Sequence, residues 1–287
     1  MSSRVLIIGA GAAGMMAAYA AAQSGAAVTV LEKNLKPGRK MAITGKGRCN
    51  ITNDCDRETF FDNIVSNPRF LFGAYSHLTP QDVMELVAQN GLKIKVERGN
   101  RVFPESDRAF DVVDTFFHLA QKAGARFCFG TTVLSVKNPA NGFEVAAQTS
   151  DGIRKFAADK VIVATGGQSY EATGSTGDGY RLAESFCHRV NRIRPALIPL
   201  RTKEKWPSEL MGLSLKNVRL DAFIDDTKVY SEMGELLFTH FGLSGPLVLS
   251  ASSFLQAGLN RLGKTYETAK CRVVLDLKPA LTEKMLD

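Results

Sequence analysis

The first 32 residues constrain the fold more strongly than any other part of the chain. A short run rich in β-branched residues, Arg4–Ile8, leads into Gly9, Gly11 and Gly14 with the spacing Gly-x-Gly-x-x-Gly. An Ala- and Met-rich stretch follows, and a second apolar run ends at Glu32. Such apolar runs are typical of strands buried in a parallel sheet, and the Ala-rich stretch is typical of a helix. The order therefore predicts a β-α-β unit whose helix begins at the glycine turn (residues 9–14).

Each glycine of this turn has a physical task when a dinucleotide binds there. The first makes the tight turn, the second lets the backbone approach the pyrophosphate, and the third lets the helix pack on the strand. The helix N-terminus, with Ala12 and Ala13 in its first turn, then faces the phosphates. Glu32 closes the second strand, where a carboxylate accepts from a ribose hydroxyl and repels a 2′-phosphate. The segment therefore predicts a Rossmann-like dinucleotide-binding domain, and the alternative is a glycine-rich turn without a ligand.

Positive charge is concentrated in the segment that follows. The chain carries 36 basic and 29 acidic residues, with a net charge of +7 and a pI of about 9.2. Residues 33–53, the basic loop, contain no acidic residue and six basic ones, which are Lys33, Lys36, Arg39, Lys40, Lys46 and Arg48. A nucleic-acid-binding protein would more often spread its charge along a face or a helix, so a nucleic-acid partner is not expected. A flavin-binding module acting on or beside RNA stays open as an alternative, which a steep salt dependence of RNA binding would favour.

Two further segments indicate which dinucleotide binds. Residues 37–50 of the basic loop form a long glycine-bearing segment that suits a ligand with more to hold than a nicotinamide. An apolar strand at 161–164 runs into Thr165-Gly166-Gly167, like the second strand-end contact of FAD-binding flavoproteins. A solvated basic flap would explain the loop alone, and a NAD-dependent dehydrogenase would use Glu32 but neither segment. The combination favours FAD, and a yellow preparation would decide against NAD.

Together these motifs closely resemble a bacterial family, the BaiN-like or aminoacetone-oxidase-like FAD-dependent oxidoreductases, which have two dinucleotide-binding domains. The motifs that carry the resemblance span the chain and are GAGAAGMMAA (9–18), LEKN (31–34), GRKMAITGKGRCNITN (38–53), NRVFP (100–104), ATGGQSY (164–170), TGSTGDGY (173–180) and THFGLSGP (239–246). The resemblance implies that the glycine turn, the basic loop and the strand end at 164–167 hold FAD. It also implies a β-rich insert that covers the flavin and shapes the pocket for a small organic substrate, with NAD(P)H as a candidate electron donor.

The expected cofactor-binding residues are Gly9, Gly11, Ala12, Ala13, Gly14, Glu32, Lys33, Arg39, Lys40, Thr44, Gly47, Arg48, Cys49, Asn50, Val133, Ala164, Thr165, Gly166 and Gly167. Arg48 and Asn50 are expected to lie nearest the flavin or its phosphates. No Ser–His–Asp set or carboxylate pair suggests a self-sufficient catalytic centre. The flavin is therefore expected to supply the chemistry, while the protein binds and orients it.

The predicted fold is α/β, with a Rossmann-like FAD-binding domain on a parallel sheet (1–190) and a β-rich inserted second domain (191–287), in agreement with a length of 287 residues. Predicted elements of the first domain are helices at 80–90, 109–123 and 178–187 and short strands between 125 and 164. The second domain is predicted to contain antiparallel strands between 215 and 240, a helix at 245–257 and a strand at 272–277. Family members are longer and return after the insert to complete the FAD domain, so this return segment is expected to be missing here.

The cysteine and histidine patterns predict neither a disulfide framework nor a metal site. Five cysteines form an odd set without a CxxC pair, which favours a reducing cytoplasm. Cys49 and Cys55 lie where disulfide-reductase flavoproteins carry a redox pair, but they are one residue too far apart. Cys49 is therefore expected to pack near the flavin. The four histidines show no metal-ligand spacing.

Two other segments invite a functional interpretation that their composition does not favour. The uncharged stretch at 5–22 is interrupted by glycines, so neither a signal peptide nor a membrane span is predicted. Residues 174–179 are rich in glycine, but no strand–turn–helix order accompanies them. This segment is predicted to be a capped turn that leads into a helix rather than a second nucleotide site.

Overall fold

The computed structural model describes residues 2–281. The helices are α1 (Ala12–Gln23), α2 (Arg57–Asp62), α3 (Phe72–His77), α4 (Pro80–Gln89), α5 (Ala109–Lys122), α6 (Asp178–Glu184), α7 (Trp206–Glu209) and α8 (Pro246–Leu262). The strands are β1 (Arg4–Ile8), β2 (Ala27–Leu31), β3 (Thr52–Asn53), β4 (Ile94–Glu97), β5 (Arg101–Pro104), β6 (Arg126–Cys128), β7 (Thr132–Lys137), β8 (Phe143–Thr149), β9 (Gly152–Ala158), β10 (Lys160–Val163), β11 (Leu200–Arg201), β12 (Ser214–Ile224), β13 (Thr227–Thr239), β14 (Gly242–Ser244) and β15 (Cys271–Asp276). Short 3₁₀ helices are Met41–Gly47, Pro68–Leu71 and Glu171–Thr173.

The chain divides into two compact units. The first comprises Met1–Arg57 and Phe72–Asn191, and the second comprises Glu58–Leu71 and Arg192–Asp287. The sequence predicts one boundary near residue 190, whereas the second unit also contains the earlier segment 58–71. The assignment of the first unit to FAD binding and of the second to substrate binding stays a prediction.

A four-stranded parallel sheet forms the centre of the first unit. Its strand order is β10-β1-β2-β6, so β1 lies between β10 and β2. Ile7 is level with Val30 on β2 and with Ile162 on β10. The side chains of β1 alternate between two buried clusters, with Leu6 and Ile8 in one and Ile7 in the other. The predicted Rossmann-like parallel sheet is confirmed.

Different layers cover the two faces of this sheet. On one face, α1 and α5 contribute Ala18 and Ala120, whose small, fully buried side chains pack in one cluster with Val28 and Val30. On the other face, the antiparallel sheet β7-β8-β9 contributes Val145 and its neighbours to the core. Burial on both faces explains why β1 and β2 are almost uninterrupted apolar runs.

The helix α4 begins where its capping residues predict. The Thr79 hydroxyl accepts from the backbone N–H of Asp82 at 3.1 Å, and the Asp82 carboxylate accepts from the backbone N–H of Thr79 at 2.7 Å. This reciprocal pair is a capping box, and Pro80 occupies the first helical position. The small antiparallel sheet β3-β5-β4 was not predicted, because β4 and β5 contain only four residues each and are too short for a periodic pattern to stand out.

The second unit is built on one antiparallel sheet. Its strand order is β11-β14-β13-β12-β15, and α8 packs on it. Leu236, Leu255 and Leu259 lie in the core between the sheet and the helix, each at most 1% exposed. Asp225 and Asp226, both with positive φ, form the tight turn between β12 and β13. Positive φ at both central residues is the geometry that matches the twist of a hairpin. The predicted β-rich second region is confirmed.

The helix α8 continues past its predicted end at Ala257 to Leu262. Gly258 lies within it, and a Cβ atom there would come within 2.6 Å of Ile224 Cδ1. Glycine therefore lets the helix approach β12 closely, although it weakens a helix prediction made from sequence. Neither α8 nor any other helix in the part of the chain that the structure describes is long and apolar enough to span a membrane.

Candidate functional site

A cavity of about 1000 Å³ opens at the carboxyl ends of the parallel strands of the first unit. Ile8 and Gly9 lie at the end of β1, Glu32 lies at the end of β2, and Ala164 lies at the end of β10. Ligands of open α/β sheets bind in the crevice outside the carboxyl ends of the strands. The volume is at the upper end of the range for small-molecule and cofactor sites. This cavity is therefore the candidate site.

Most of the residues predicted from sequence line this cavity. They are Gly9, Gly11, Ala12, Ala13, Glu32, Lys33, Arg39, Lys40, Thr44, Cys49, Asn50, Val133, Ala164, Thr165 and Gly166. Four predicted residues lie outside the lining, and these are Gly14, Gly47, Arg48 and Gly167. The fold thus brings the glycine turn, the basic loop and the end of β10 to one cavity, and the contact of these residues with FAD stays a prediction.

The three glycines of the turn meet different surroundings. Gly9 has a φ of +105°, and a Cβ atom there would come within 2.5 Å of the Ala164 carbonyl oxygen. A Cβ atom on Gly14 would overlap the Gly9 carbonyl oxygen, so α1 lies directly against the end of β1. Gly11 has an ordinary φ of −81°, and nothing lies within 4 Å of a Cβ atom placed there. Neither backbone conformation nor packing against protein explains glycine at position 11, and its open side faces the cavity.

The N-terminus of α1 provides backbone donors at the cavity wall. Gly11 is the N-cap residue, and its carbonyl accepts the first intrahelical hydrogen bond from Met15 at 2.9 Å. The first N–H groups of a helix have no partner within the helix, and no side chain in the described residues caps this one. Ala12 and Ala13 line the cavity in the first turn. Free backbone donors and the positive end of the helix dipole suit a phosphate group.

Glu32 is buried at the end of β2 and joins two segments of the wall. Its Oε2 atom accepts from the Ala10 N–H at 2.7 Å. Its Oε1 atom accepts from the backbone N–H of Asn34 at 2.8 Å and from Asn34 Nδ2 at 2.7 Å. A carboxylate has about four acceptor positions, so three protein bonds leave capacity for one hydroxyl group. The carboxylate therefore holds the glycine turn in place as well as facing the cavity.

Three cations of the basic loop that line the cavity bind protein partners. Lys33 Nζ lies 2.7 Å from Asp178 Oδ2, and Lys40 Nζ donates to the Ser169 carbonyl at 2.9 Å. Arg39 donates to Asn34 Oδ1 at 3.0 Å. Part of the positive charge of this loop is therefore used in hydrogen bonds and an ion pair between segments of the cavity wall.

Arg48, expected to lie nearest the flavin or its phosphates, lies outside the cavity lining, and its contact with FAD stays a prediction. Its guanidinium lies 2.7 Å from Glu97 and 3.3 Å from Asp107, and it stacks 4.1 Å from the centroid of the Phe103 ring. Hydrogen bonds from Lys95 and Arg48 hold the pKa of the Asp107 carboxyl below its ordinary value. The sequence shows that Arg48 is basic but does not show these acidic partners, which belong to β4 and to the loop between β5 and α5. Arg48 binds the basic loop to the β3-β5-β4 sheet instead of lining the cavity.

Cys49 and Asn50 do line the cavity beside Arg48. Burial raises the pKa of the Cys49 thiol and outweighs the opposing hydrogen bond with Thr44. Cys49 and Cys55 are both free thiols in the structure. In the amide orientation that satisfies both of its polar atoms, Asn50 donates to the carbonyl oxygens of Thr52 at 3.0 Å and of Val102 at 3.3 Å. The cavity therefore has a neutral, polar section at this end of the basic loop.

One part of the wall was missed by the sequence analysis. The segment 174–179 was predicted to be only a turn that leads into a helix, but most of it lines the cavity, including Gly174, Ser175 and Asp178. The prediction that a helix begins at Asp178 is correct. The density of glycine in this segment was a usable signal, since glycine collects where a backbone approaches a ligand.

Among residues 2–281, no group of three or more His, Cys, Asp or Glu side chains is arranged to hold a metal ion.

Comparisons with known proteins identify the family. The family model described as HI0933-like protein Rossmann domain matches residues 3–260. The chain is 32% identical over 281 residues to the 3-dehydro-bile acid delta(4,6)-reductase of Clostridium scindens, with 97% of this chain and 65% of that protein covered. It is 34% identical over 253 residues to the ribosomal RNA dihydrouridine synthase of Escherichia coli K12, with 88% and 61% covered. The chain thus spans less than two thirds of the length of the curated relatives that it matches.

A solved structure has the same fold at low sequence identity. The open conformation of a flavocytochrome c3 fumarate reductase superposes with a TM-score of 0.52 and 16% identity, over 75% of this chain and 47% of that one. The resemblance found in the sequence motifs is confirmed by the family match and by the identity across nearly the whole chain. The chain belongs to the HI0933-like Rossmann family of flavin-dependent oxidoreductases.

Proposed function

We propose that this protein binds FAD in the cavity and reduces a carbon–carbon double bond conjugated to a carbonyl group, with NAD(P)H as the electron donor. The observation that carries the proposal is the wall formed by Gly11, the uncapped first turn of α1 and Glu32. At Gly11 a ligand is the remaining reason for glycine, because neither φ nor protein packing requires it. Backbone donors beside that open position suit a pyrophosphate.

The two ends of the cavity suit the two ends of FAD. The remaining acceptor capacity of the Glu32 carboxylate suits a ribose hydroxyl, and its negative charge disfavours a 2′-phosphate. Thr44, Cys49 and Asn50 would then lie toward the flavin, where the section of wall is polar but uncharged. An apolar stretch with Met41 and Phe116 continues the wall and suits a flat aromatic ring. A nicotinamide dinucleotide as the resident cofactor would leave the basic loop without a role.

The class of reaction is supported by the two kinds of relative. One is named as a reductase of delta(4,6) double bonds in a 3-dehydro-bile acid, and the other as a synthase of dihydrouridine. In both cases hydrogen is added to a carbon–carbon double bond conjugated to a carbonyl group. When bound and reduced by NAD(P)H, FAD would supply the hydride for such an addition, and a proton would complete it. We propose a small organic substrate of this class.

The second candidate function is the same addition to a uracil base in RNA. Two relatives at 34% identity are named ribosomal RNA dihydrouridine synthases, so the expectation that nucleic acid is not a partner is not supported. Residues 192–205 carry five basic side chains, of which four are exposed and Arg194 is half-buried, and one acidic residue, Glu204. This run is a second concentration of positive charge, apart from the basic loop. Exposed cations of this kind suit phosphate contacts.

The decisive experiment begins with the visible spectrum of the purified protein. The proposal predicts flavin absorption bands, bleaching under anaerobic NADH or NADPH, and a return of the bands when a conjugated enone steroid is added. The matched control is the saturated ketone, which should leave the flavin reduced. A uridine-containing transcript is tested in parallel, and a gain of two hydrogen atoms per reacted base would favour RNA. The proposal would be overturned if the purified protein shows no flavin bands and if no FAD stays bound after incubation with FAD and removal of the unbound cofactor.

A further inference from the structure

The segment 173–178, here called the strap, forms the wall of the cavity next to Glu32. It has the sequence Thr-Gly-Ser-Thr-Gly-Asp and joins a 3₁₀ turn to α6. Ser175 in the strap is 7% exposed, and Glu32 is also 7% exposed. The wall of the cavity next to Glu32 is therefore formed by buried side chains.

Two consecutive residues after Glu32 fasten the strap from the side of β2. Lys33 Nζ lies 2.7 Å from Thr176 Oγ1 and 2.7 Å from Asp178 Oδ2. Asn34 Nδ2 donates to the Thr173 carbonyl at 3.2 Å. These bonds link segments about 140 residues apart in sequence and leave the glycine turn untouched. Lys33 is therefore the charged fastening of the strap.

The backbone of the strap approaches Lys33 and Asn34 closely at Gly174. Gly174 has a φ of +99°, and a Cβ atom there would come within 2.6 Å of Asn34 Nδ2. A side chain at this position would both strain the backbone and push the strap away from β2. The fit places the strap against Lys33 and Asn34 without intervening space.

The ion pair is held in a partly buried place. The side chains of Lys33 and Asp178 are 26% and 32% exposed. Burial alone would raise the pKa of the Asp178 carboxyl, but the hydrogen bonds from Lys33 and Thr176 outweigh it and lower that pKa. The carboxylate is therefore charged at neutral pH, and removal of Lys33 would leave it without its paired cation, with Arg181 as the other nearby positive charge.

We propose that the Lys33–Asp178 ion pair closes the strap over the adenosine half of the bound dinucleotide and slows its release. The inference rests on the proposed function, since it takes the Glu32 end of the cavity as the adenosine end. Lys33 and Asp178 are positioning residues in this account. They hold the strap in place, and the glycine turn binds the pyrophosphate.

The test measures FAD dissociation from the wild type, Lys33→Met, Asp178→Asn and the double variant. Each single variant should release FAD about tenfold faster, which is about 1.4 kcal/mol. The double variant should resemble the singles, because both changes break one interaction. Lys36→Met is the matched control, since Lys36 is exposed, belongs to the same loop and lies outside the cavity lining. Lys33→Arg should restore most of the slow release.

Two smaller ligands separate this role from a merely structural one. ADP contains only the adenosine and pyrophosphate portion of FAD. The variants should therefore bind ADP with an affinity about tenfold lower than that of the wild type. FMN lacks the adenosine, so its dissociation constant should not change. The double variant leaves no unpaired charge, so without cofactor it should melt at a temperature similar to that of the wild type. Unchanged release of FAD, or weakened FMN with unchanged ADP, would overturn the strap proposal.

The same measurements separate the strap from the proposed function. A wild type that binds ADP but not FAD would overturn FAD as the cofactor. The ADP affinities of the variants would then still test the role of the strap. A wild type that binds FAD, with variants that release it at the wild-type rate, would overturn the strap alone. A wild type that binds neither ligand would overturn both.

Discussion

The glycine turn and the basic loop both contribute to the wall of one cavity, but they do so through opposite features. In the glycine turn, the contribution comes from the absence of side chains. Gly14 lets α1 lie against β1, and Gly11 leaves space open toward the cavity. In the basic loop, the side chains matter, and their partners are other parts of the protein. Arg48 binds Glu97 and Asp107, and Lys33 binds Asp178.

This difference teaches how far each kind of motif can be interpreted from sequence. The role of a glycine follows from the local backbone, so its place in a strand–turn–helix pattern largely defines it. The role of a charged side chain depends on which opposite charge the fold brings near it.

The largest effect is expected for Gly14→Ala. A single methyl group at this position overlaps the Gly9 carbonyl oxygen, so the helix or the strand end must move. The cost should be about 3 kcal/mol or more in the free energy of unfolding. Chemical denaturation without cofactor measures it. The matched control is Gly11→Ala, which adds the same methyl group in open space and should leave stability nearly unchanged. Equal stability of both variants would contradict the difference between tight packing at Gly14 and open space at Gly11.

Gly11→Val should abolish FAD binding while the protein remains folded. The branched side chain would occupy the place where the backbone approaches the pyrophosphate, whereas φ at this position is ordinary. The expected loss of affinity is more than about a hundredfold, or about 2.7 kcal/mol. Titration with FAD measures the affinity, and circular dichroism checks the fold. Flavin retained at wild-type occupancy would refute this role for Gly11.

Glu32→Ala should weaken FAD about ten- to a hundredfold, because a charge-assisted hydrogen bond is worth about 1.5–3 kcal/mol. The same change leaves the buried Ala10 N–H without its acceptor, so stability without cofactor should also fall. Glu32→Gln is the matched variant, because it keeps one acceptor for Ala10 while it removes the charge. The dissociation constants and the unfolding free energies are measured for both. An unchanged dissociation constant in the Ala variant would show that the ribose lies elsewhere.

Arg48→Met should have the smallest effect on the cofactor. Arg48 lies outside the cavity lining, so the dissociation constant of FAD should stay within about threefold of wild type. The loss should appear instead as lower stability, since Asp107 and Glu97 lose a shared cation. Lys95→Met provides the comparison, because Lys95 pairs with the same two carboxylates. A loss of FAD affinity as large as that of Glu32→Ala would show that Arg48 contributes to FAD binding.

Local patterns in the sequence predicted the core of the first unit well. The strand β1, the start of α1 and the start of α4 follow from apolar runs, glycine spacing and the Thr79–Asp82 cap, which are all interactions within a few residues. The short strands β4 and β5 were missed, because four residues do not establish a period. The full length of α8 was also missed, because Gly258 is explained only by its contact with β12.

The candidate site shows the same division. The sequence by itself determined that a strand, a glycine turn and an acidic strand end come together, because neighbouring parallel strands present their carboxyl ends at one edge of a sheet. Only the tertiary structure decided that the strap at 173–178 completes the wall, that Lys33 is paired with Asp178, and that Arg48 turns toward β4. The physical reason is that backbone geometry is set by local residues, whereas a charge pairs with whatever partner the folded chain brings within a few ångströms.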